Sequence, residues 1–269
     1  MSPAARLPAI YIPHGGGPWP FVDSRFASRS EMEPLAQYLR GLVGTLPVRP
    51  KALLVVSAHW EEAVPTLMTA SHPPLLFDYF GFPPETYQLQ WPAPGAPDLA
   101  ERVRGLLEKA GLRTGSDPAR GFDHGTFIPL MVALPDADIP VLQMSLLANL
   151  DPRQHIALGR ALAPLRGEGV LLVGSGSSYH NMRGFGRAES TAPSREFDDW
   201  LVDAVTQAPA RREALLADWA SAPAARQCHP REEHLLPLHV MAGAGDHDAA
   251  TVPFRTEVAC VRFSAVQFG

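Results

Sequence analysis

Short apolar segments, rich in β-branched residues and cut off by glycine, proline or aspartate, alternate along this chain with segments of helical periodicity. Ala9–Ile12, Ala52–Ser57, Thr66–Thr69, Val141–Ser145, Val170–Gly174 and Thr256–Phe263 read as buried strands, because continuous apolar runs of this length suit strands covered on both faces. Between them, Pro97-Asp98 opens a periodic run through Lys109 that Gly111 closes. Asp151-Pro152 supplies an N-cap and a first-turn proline for a helix over Arg153–Leu165, ending at Gly167. Ser194 caps a helix through Ala204, Arg212–Ala220 reads as another, and a last helix is expected over Arg231–Ala242. Strands alternating with helices predict an α/β single domain over 1–269, with a central mostly parallel or mixed sheet flanked by helices.

Composition narrows the function classes. The 269 residues are 46% apolar and 19% charged, a globular balance. Net charge is −5, which removes the basic footprint of a nucleic-acid binder. Two cysteines, with no CxxC, give no disulfide framework. No secretory h-region and no apolar run long enough to span a bilayer occurs, so a cytoplasmic, membrane-free monomer or homodimer is the expectation. Proline is the outlier at 28 residues, about twice ordinary usage. The proline- and aromatic-rich stretch over 73–97 shows little periodicity, and a long irregular loop inside a compact domain is more often a lid or substrate wall than a linker.

Ten histidines carry the chemistry. His14 follows the first strand and precedes Gly15-Gly16-Gly17. His59 follows the second strand within Ser57-Ala58-His59-Trp60. His124 lies in Gly121-Phe122-Asp123-His124-Gly125-Thr126, and His180 follows Gly174-Ser175-Gly176-Ser177-Ser178-Tyr179. Open α/β sheets bind ligands beyond the carboxyl ends of their strands, so imidazoles placed there from distant segments can converge on one point. Imidazole suits iron, zinc, copper or nickel far better than magnesium or calcium. A fifth candidate lies in His229-Pro230-Arg231-Glu232-Glu233-His234. His234 is expected as a ligand just inside its helix and His229 as a substrate contact from the preceding loop. His239, five residues beyond His234, cannot share its face and is expected to be structural. Glu232 and Glu233 are the carboxylate rivals of His234, or simply first-turn acidic residues favoured by the helix dipole. His72, His155 and His247 receive no role. His14-Gly15-Gly16-Gly17 matches an esterase oxyanion string, but no G-x-S-x-G nucleophile elbow accompanies it. Gly174-Ser175-Gly176-Ser177-Ser178-Tyr179 departs from the dinucleotide loop at its last position, and no phosphate-binding GxxxxGK[ST] is present.

Six ordered strings extend this reading. Pro13-His14-Gly15-Gly16-Gly17-Pro18, Ser57-Ala58-His59-Trp60, the run from Asp78-Tyr79-Phe80-Gly81-Phe82 to Tyr87, and Asp123-His124-Gly125-Thr126-Phe127-Ile128-Pro129-Leu130 resemble the class III extradiol ring-cleavage dioxygenases. Gly174-Ser175-Gly176 with His180-Asn181, and Glu233-His234-Leu235-Leu236-Pro237-Leu238, continue the match. The chain resembles the DOPA 4,5-dioxygenase branch of the LigB-like superfamily from about residue 8 to 265. That resemblance implies a mononuclear metal held by His14, His59 and His234, with His180 as the acid/base and His124 bonding a substrate hydroxyl or bound oxygen. It also implies that the aromatic loop carrying Tyr79, Phe80, Phe82 and Tyr87 walls the ring pocket. Relatives that cleave protocatechuate use two histidines and a glutamate, so Glu233 stands as the alternative third ligand.

Ring opening of a catechol by O₂ needs a metal with open positions and a proton-transfer group that titrates near neutrality, a requirement histidine meets without large tuning. Redox-active Fe(2+) serves this chemistry and redox-inert Zn(2+) does not, although Zn(2+) can occupy the same ligands. The expected activity is therefore extradiol insertion of O₂ into a DOPA- or caffeate-like catechol to give a ring-opened semialdehyde. The alternatives are a zinc-dependent hydrolase or isomerase using the same pocket, with His180 as general base, and a non-catalytic binding module.

Overall fold

The computed structural model describes residues 6–24 and 26–269. In chain order its elements are β1 (Ala9–Pro13), α1 (Arg29–Gly41), β2 (Ala52–Glu62), β3 (Thr66–Met68), α2 (Pro97–Lys109), β4 (Gly115–Asp117), α3 (His124–Ala133), β5 (Val141–Leu147), α4 (Pro152–Leu162), β6 (Val170–Gly176), α5 (Thr191–Thr206), α6 (Pro209–Ala217), α7 (Ala225–Cys228), α8 (Leu236–Ala244), β7 (Ala250–Val258) and β8 (Val261–Phe268). The eight strands form one mixed sheet in the order β4-β3-β5-β2-β6-β1-β8-β7. Its centre is parallel: β2 pairs with both β5 and β6, and β6 pairs with β1. β8 joins β1 antiparallel, and β7 joins β8 in a hairpin. Every residue of β1, β5 and β6 is buried, the state expected of parallel strands sandwiched between helix layers. No helix among the described residues is long and apolar enough to cross a membrane.

Alternate residues of β6 show which helix covers which face. Gly174 and Gly176 lie against Pro237, Met241 and the His234 carbonyl, at or just before α8. Ser175 points the other way, donating a short hydrogen bond to the Gly125 carbonyl in α3. With side chains alternating across a strand, α8 and α3 therefore cover opposite faces of the sheet. The ends of β1, β2 and β6 emerge between them.

Several elements depart from the sequence reading. The single strand expected over Thr256–Phe263 is a hairpin whose turn falls at Ala259 and Cys260, with φ of 51° and 64°. Two-residue turns of this hand ordinarily carry asparagine or glycine, so an Ala-Cys turn leaves no signal. The helix expected from Arg231 begins at Leu236, placing Pro237 in its first turn, where the missing N–H costs nothing. His234 therefore lies just before the helix rather than inside it. The sequence reading also assigned no helix to Arg29–Gly41 or His124–Ala133. The second starts at an Asp123 cap whose side chain accepts from Thr126 N–H. It is buried on nearly all sides, so it lacks the polar face that periodicity detects.

Candidate metal centre

Each of the three expected ligands is fixed by its own backbone. His14 follows β1; its N–H donates to the Gly176 carbonyl at 3.0 Å, and its carbonyl accepts from the Trp19 indole N–H. His59 lies on β2 where pairing to β5 shifts between Val56 and Glu61. Irregularities of that kind re-aim a side chain at a sheet rim. Its N–H donates to Ser57 Oγ at 3.2 Å and its carbonyl accepts from Arg120 Nη2 at 3.2 Å. Buried Asp123 ties that pair together, accepting from Ser57 Oγ at 2.7 Å and Arg120 Nη2 at 3.1 Å. A methyl group on Gly125 would sit 2.7 Å from Ser57 Oγ and 2.9 Å from the His59 ring, so only glycine leaves room for this arrangement. The His234 carbonyl accepts from Tyr11 Oη at 2.9 Å and Ser177 N–H at 3.0 Å. Gly176 allows that approach, since a methyl there would lie 2.1 Å from the same carbonyl oxygen.

The rings then converge. Centroids of His14, His59 and His234 lie 4.9, 5.1 and 4.8 Å apart pairwise, and one ligand nitrogen from each falls within 4.8 Å of the others. His14 Nδ1–H donates to Ser175 Oγ at 3.0 Å, because that hydroxyl's own proton goes to the Gly125 carbonyl. Its Nε2 therefore carries the lone pair, and that atom sits 3.1 Å from Nε2 of His59. His59 Nδ1 instead faces Asp78 Oδ2 at 3.8 Å. His234 Nδ1–H donates to Glu233 Oε1 at 3.0 Å, leaving Nε2 fully buried with no partner. Burial holds all three imidazoles well below the usual histidine range, and the neighbouring rings push further in that direction. They are neutral imidazoles, and Nε2 of His234 in particular has no hydrogen to accept.

That arrangement fits a late first-row metal. At metal–nitrogen distances of about 2.0–2.1 Å, two neighbouring imidazoles on one ion have nitrogens about 2.9–3.4 Å apart, a range that includes the His14–His59 separation. An orphaned buried Nε2 would otherwise cost about 1–3 kcal/mol. Glu233 is grouped with His180 and His234 rather than with His14 and His59. Its Oε1 accepts from His180 Nδ1 at 3.0 Å as well as from His234. Glu232, the other carboxylate rival, pairs with Arg226 at 2.6 Å.

His124 opens α3 with its backbone N–H and Nδ1 both bonded to Asp78 Oδ1, at 2.9 and 2.8 Å. Burial pushes the Asp78 carboxyl up, but the hydrogen bonds it accepts from the His124 side chain and backbone help bring it down to about 2. His180 stacks on His234 with centroids 3.2 Å apart and planes 14° from parallel. His14, His59, His124, His180 and His234 all line one cavity of about 530 Å³. Its outer wall is apolar, with Trp19, Phe26, Tyr79, Phe82, Phe185 and Phe263 prominent. Phe80 stands 91% exposed at the lining, beside Gly81 in the left-handed region. Tyr87 is not among the lining residues; it packs behind Tyr79, ring centroids 5.3 Å apart.

His229 corrects one expectation. It is fully buried and does not line the cavity; Nε2–H donates to the Ser178 carbonyl at 3.0 Å, and the ring packs between Phe197 and Trp219. Its contact is with the chain behind His180 rather than with a ligand. His239 and His155 are buried structural groups bonded to backbone. Asp78, Asp123 and Ser175 orient the histidines, and the sequence reading gave them no role. Asp123, three residues before Thr126, carried the one usable signal, an N-cap spacing.

Comparison with known proteins agrees with this geometry. The family model described as the catalytic LigB subunit of aromatic ring-opening dioxygenase matches residues 9–265. A 4,5-DOPA dioxygenase extradiol from Portulaca grandiflora is 40% identical over 253 residues, covering 92% of this chain and 90% of the relative. Dioxygenase tasH from Hapsidospora irregularis is 38% identical over 268 residues, covering 93% and 81% respectively. The crystal structure of an uncharacterized protein from Escherichia coli K12 superposes with a TM-score of 0.76 at 30% identity, covering 98% of this chain and all of that one. Matched along almost its whole length, and with His14, His59 and His234 gathered around one metal-competent point, this chain belongs to the LigB family of aromatic ring-opening dioxygenases and is an extradiol ring-cleavage dioxygenase.

Proposed function

We propose that the chain holds one ferrous ion on His14, His59 and His234 and opens the ring of a DOPA-like catechol bearing a carbon side chain. The observation that carries this reading is the unpartnered Nε2 of His234, buried beside the facing Nε2 atoms of His14 and His59. A redox-active ferrous ion bound there supplies electron transfer from the catecholate to O₂, which redox-inert zinc cannot supply. The remaining work falls to the chain. His180, with Nδ1–H committed to Glu233, offers Nε2 to accept a catechol proton and to return it later in the reaction. His124, with Nδ1–H committed to Asp78, offers its Nε2 lone pair to a substrate hydroxyl. Tyr79 and Phe82, edge-on with centroids 5.5 Å apart, wall the ring and exclude water.

A 530 Å³ cavity falls within the range that holds drug-sized ligands, so a single dihydroxy ring leaves room for a substituent toward the apolar mouth. Relatives named 4,5-DOPA dioxygenase support the same substrate class. The test is anaerobic reconstitution with ferrous iron, then O₂ with a panel of 4-substituted catechols. One O₂ consumed per visible-absorbing semialdehyde formed, with the zinc-loaded protein inert, is the expected result. No oxygen uptake across the panel by iron-loaded protein would overturn the proposal.

A further inference from the structure

Glu233 hydrogen-bonds two of the site's imidazoles, His180 and His234, through one and the same oxygen. We infer that Glu233 is a positioning residue that fixes the ring orientation and tautomer of His180 and His234 together, leaving Nε2 of each as the free lone pair. This inference rests on the reading in which His234 binds the metal and His180 moves protons.

The geometry is specific. A single oxygen, Glu233 Oε1, lies 3.0 Å from Nδ1 of His180 and 3.0 Å from Nδ1 of His234. The two rings stack with centroids 3.2 Å apart and planes within 14° of parallel, so their Nδ1 edges face the same acceptor. An ionised carboxylate only accepts hydrogen bonds. Both contacts therefore require the proton on Nδ1, and a neutral imidazole protonated there has its lone pair on Nε2. His234 Nε2 is the buried atom without a partner, and His180 reaches the cavity.

The carboxylate is itself held in place. Arg231 Nη1 lies 3.4 Å from Glu233 Oε2, and the same guanidinium grips Glu61 through two bonds of 2.5 Å. Glu61 lies on β2 two residues beyond His59, so the Glu61–Arg231–Glu233 chain ties the segment bearing His234 to the strand bearing His59. Bidentate Arg–carboxylate pairs fix direction as well as distance. The result is that one oxygen, backed by a clamp to β2, keeps a ligand and an acid/base group in register.

The experiment reads tautomers directly in metal-free, substrate-free protein, so its outcome is independent of dioxygenase activity. Long-range ¹H–¹⁵N correlation of ¹⁵N-labelled protein distinguishes Nδ1–H from Nε2–H rings, with His180→Gln and His234→Gln giving the assignments. Wild type is expected to show Nδ1–H at both rings; Nε2–H at either would overturn the inference. In Glu233→Gln, where the amide can donate as well as accept, at least one ring is expected to lose the Nδ1–H form. Ferrous affinity by chelator competition is expected to fall about 10–100-fold, the usual effect of losing a partner behind a metal ligand. Retention of Nδ1–H at both rings with unchanged metal affinity would also overturn it. If Glu233→Gln does not fold, the wild-type spectrum alone decides. A catalytically dead enzyme whose tautomers match would count against the dioxygenase reading and not against the role of Glu233.

Discussion

Gly176→Ala tests how the backbone positions the third imidazole. A methyl added at residue 176 would lie 2.1 Å from the His234 carbonyl oxygen and 3.1 Å from Tyr11 Cε2. Ordinary contact begins at 3.4 Å, so the carbonyl must retreat by about 1 Å or more. That carbonyl holds the Tyr11 hydroxyl at 2.9 Å and Ser177 N–H at 3.0 Å, and neither bond survives such a retreat. Losing them costs about 1 kcal/mol each. Overpacking adds about 1–3 kcal/mol. The total, about 3–5 kcal/mol, is a large share of the 5–15 kcal/mol that stabilises a typical domain. The ring of His234 travels with its backbone, taking Nε2 off the point it shares with His14 and His59. Thermal unfolding and chelator competition for ferrous iron or zinc measure the two consequences together. We expect a melting temperature lowered by about 10 °C and metal affinity down by at least about 10–100-fold. Gly105→Ala in α2, with nothing within 4 Å of the added methyl, is the control and should be neutral or stabilising by about 0.5–1 kcal/mol. Wild-type metal affinity and an unchanged unfolding midpoint in Gly176→Ala would refute this account of the His234 segment.

Other consequences follow from the site's division of labour. His180→Phe should keep its metal while turnover falls about 10²–10⁴-fold, whereas His59→Ala should lose the metal itself; equal metal loss in both, by elemental analysis, would merge the two roles. Phe82→Ala should raise KM for a DOPA-like catechol about 5–30-fold, the equivalent of about 1–2 kcal/mol of apolar contact, with kcat within about twofold. An unchanged KM would remove Phe82 from the substrate wall. Acid sensitivity is set by buried histidines: burial lowers His155 to about 4 and His229 to about 3. Their folded values lie below the unfolded one of about 6.5, so their stabilising contribution is complete above about pH 6.5 and is lost as pH falls. By pH 5 each should have cost about 2 kcal/mol, and urea midpoints of metal-free protein that are flat from pH 7 to 5 would contradict this.

Much of this arrangement was legible in the residues. β1, β2, β5 and β6 announce themselves as apolar runs bounded by turn residues because parallel central strands are buried on both faces. His14, His59 and His180 could be located at strand ends for the same reason. What periodicity misses are elements without a polar face or a conventional signal. α3 is apolar nearly all round, and the Ala259-Cys260 turn lacks glycine or asparagine. The boundary error at α8 misplaced His234 by a turn, since the acidic and basic residues over 231–233 resemble a helix start while Pro237 marks the true one. His229 shows a different limit. A loop position beside a ligand looks like a substrate contact, and only the packing of Phe197 and Trp219 around its ring reveals a wall residue of the core. The orienting groups Asp78, Ser175 and Glu233 act through hydrogen bonds across 46, 161 and 53 residues, distances at which a lone sequence carries no pairing information.

Anomalous diffraction at the iron edge, from crystals of anaerobically iron-reconstituted protein, locates the metal without reference to catalysis. A single peak within coordination distance of Nε2 of His14, His59 and His234, with Glu233 outside it, is the outcome expected here. A peak between His59, Asp78 and His124, or one bonded to the carboxylate of Glu233 beside His180, would contradict it.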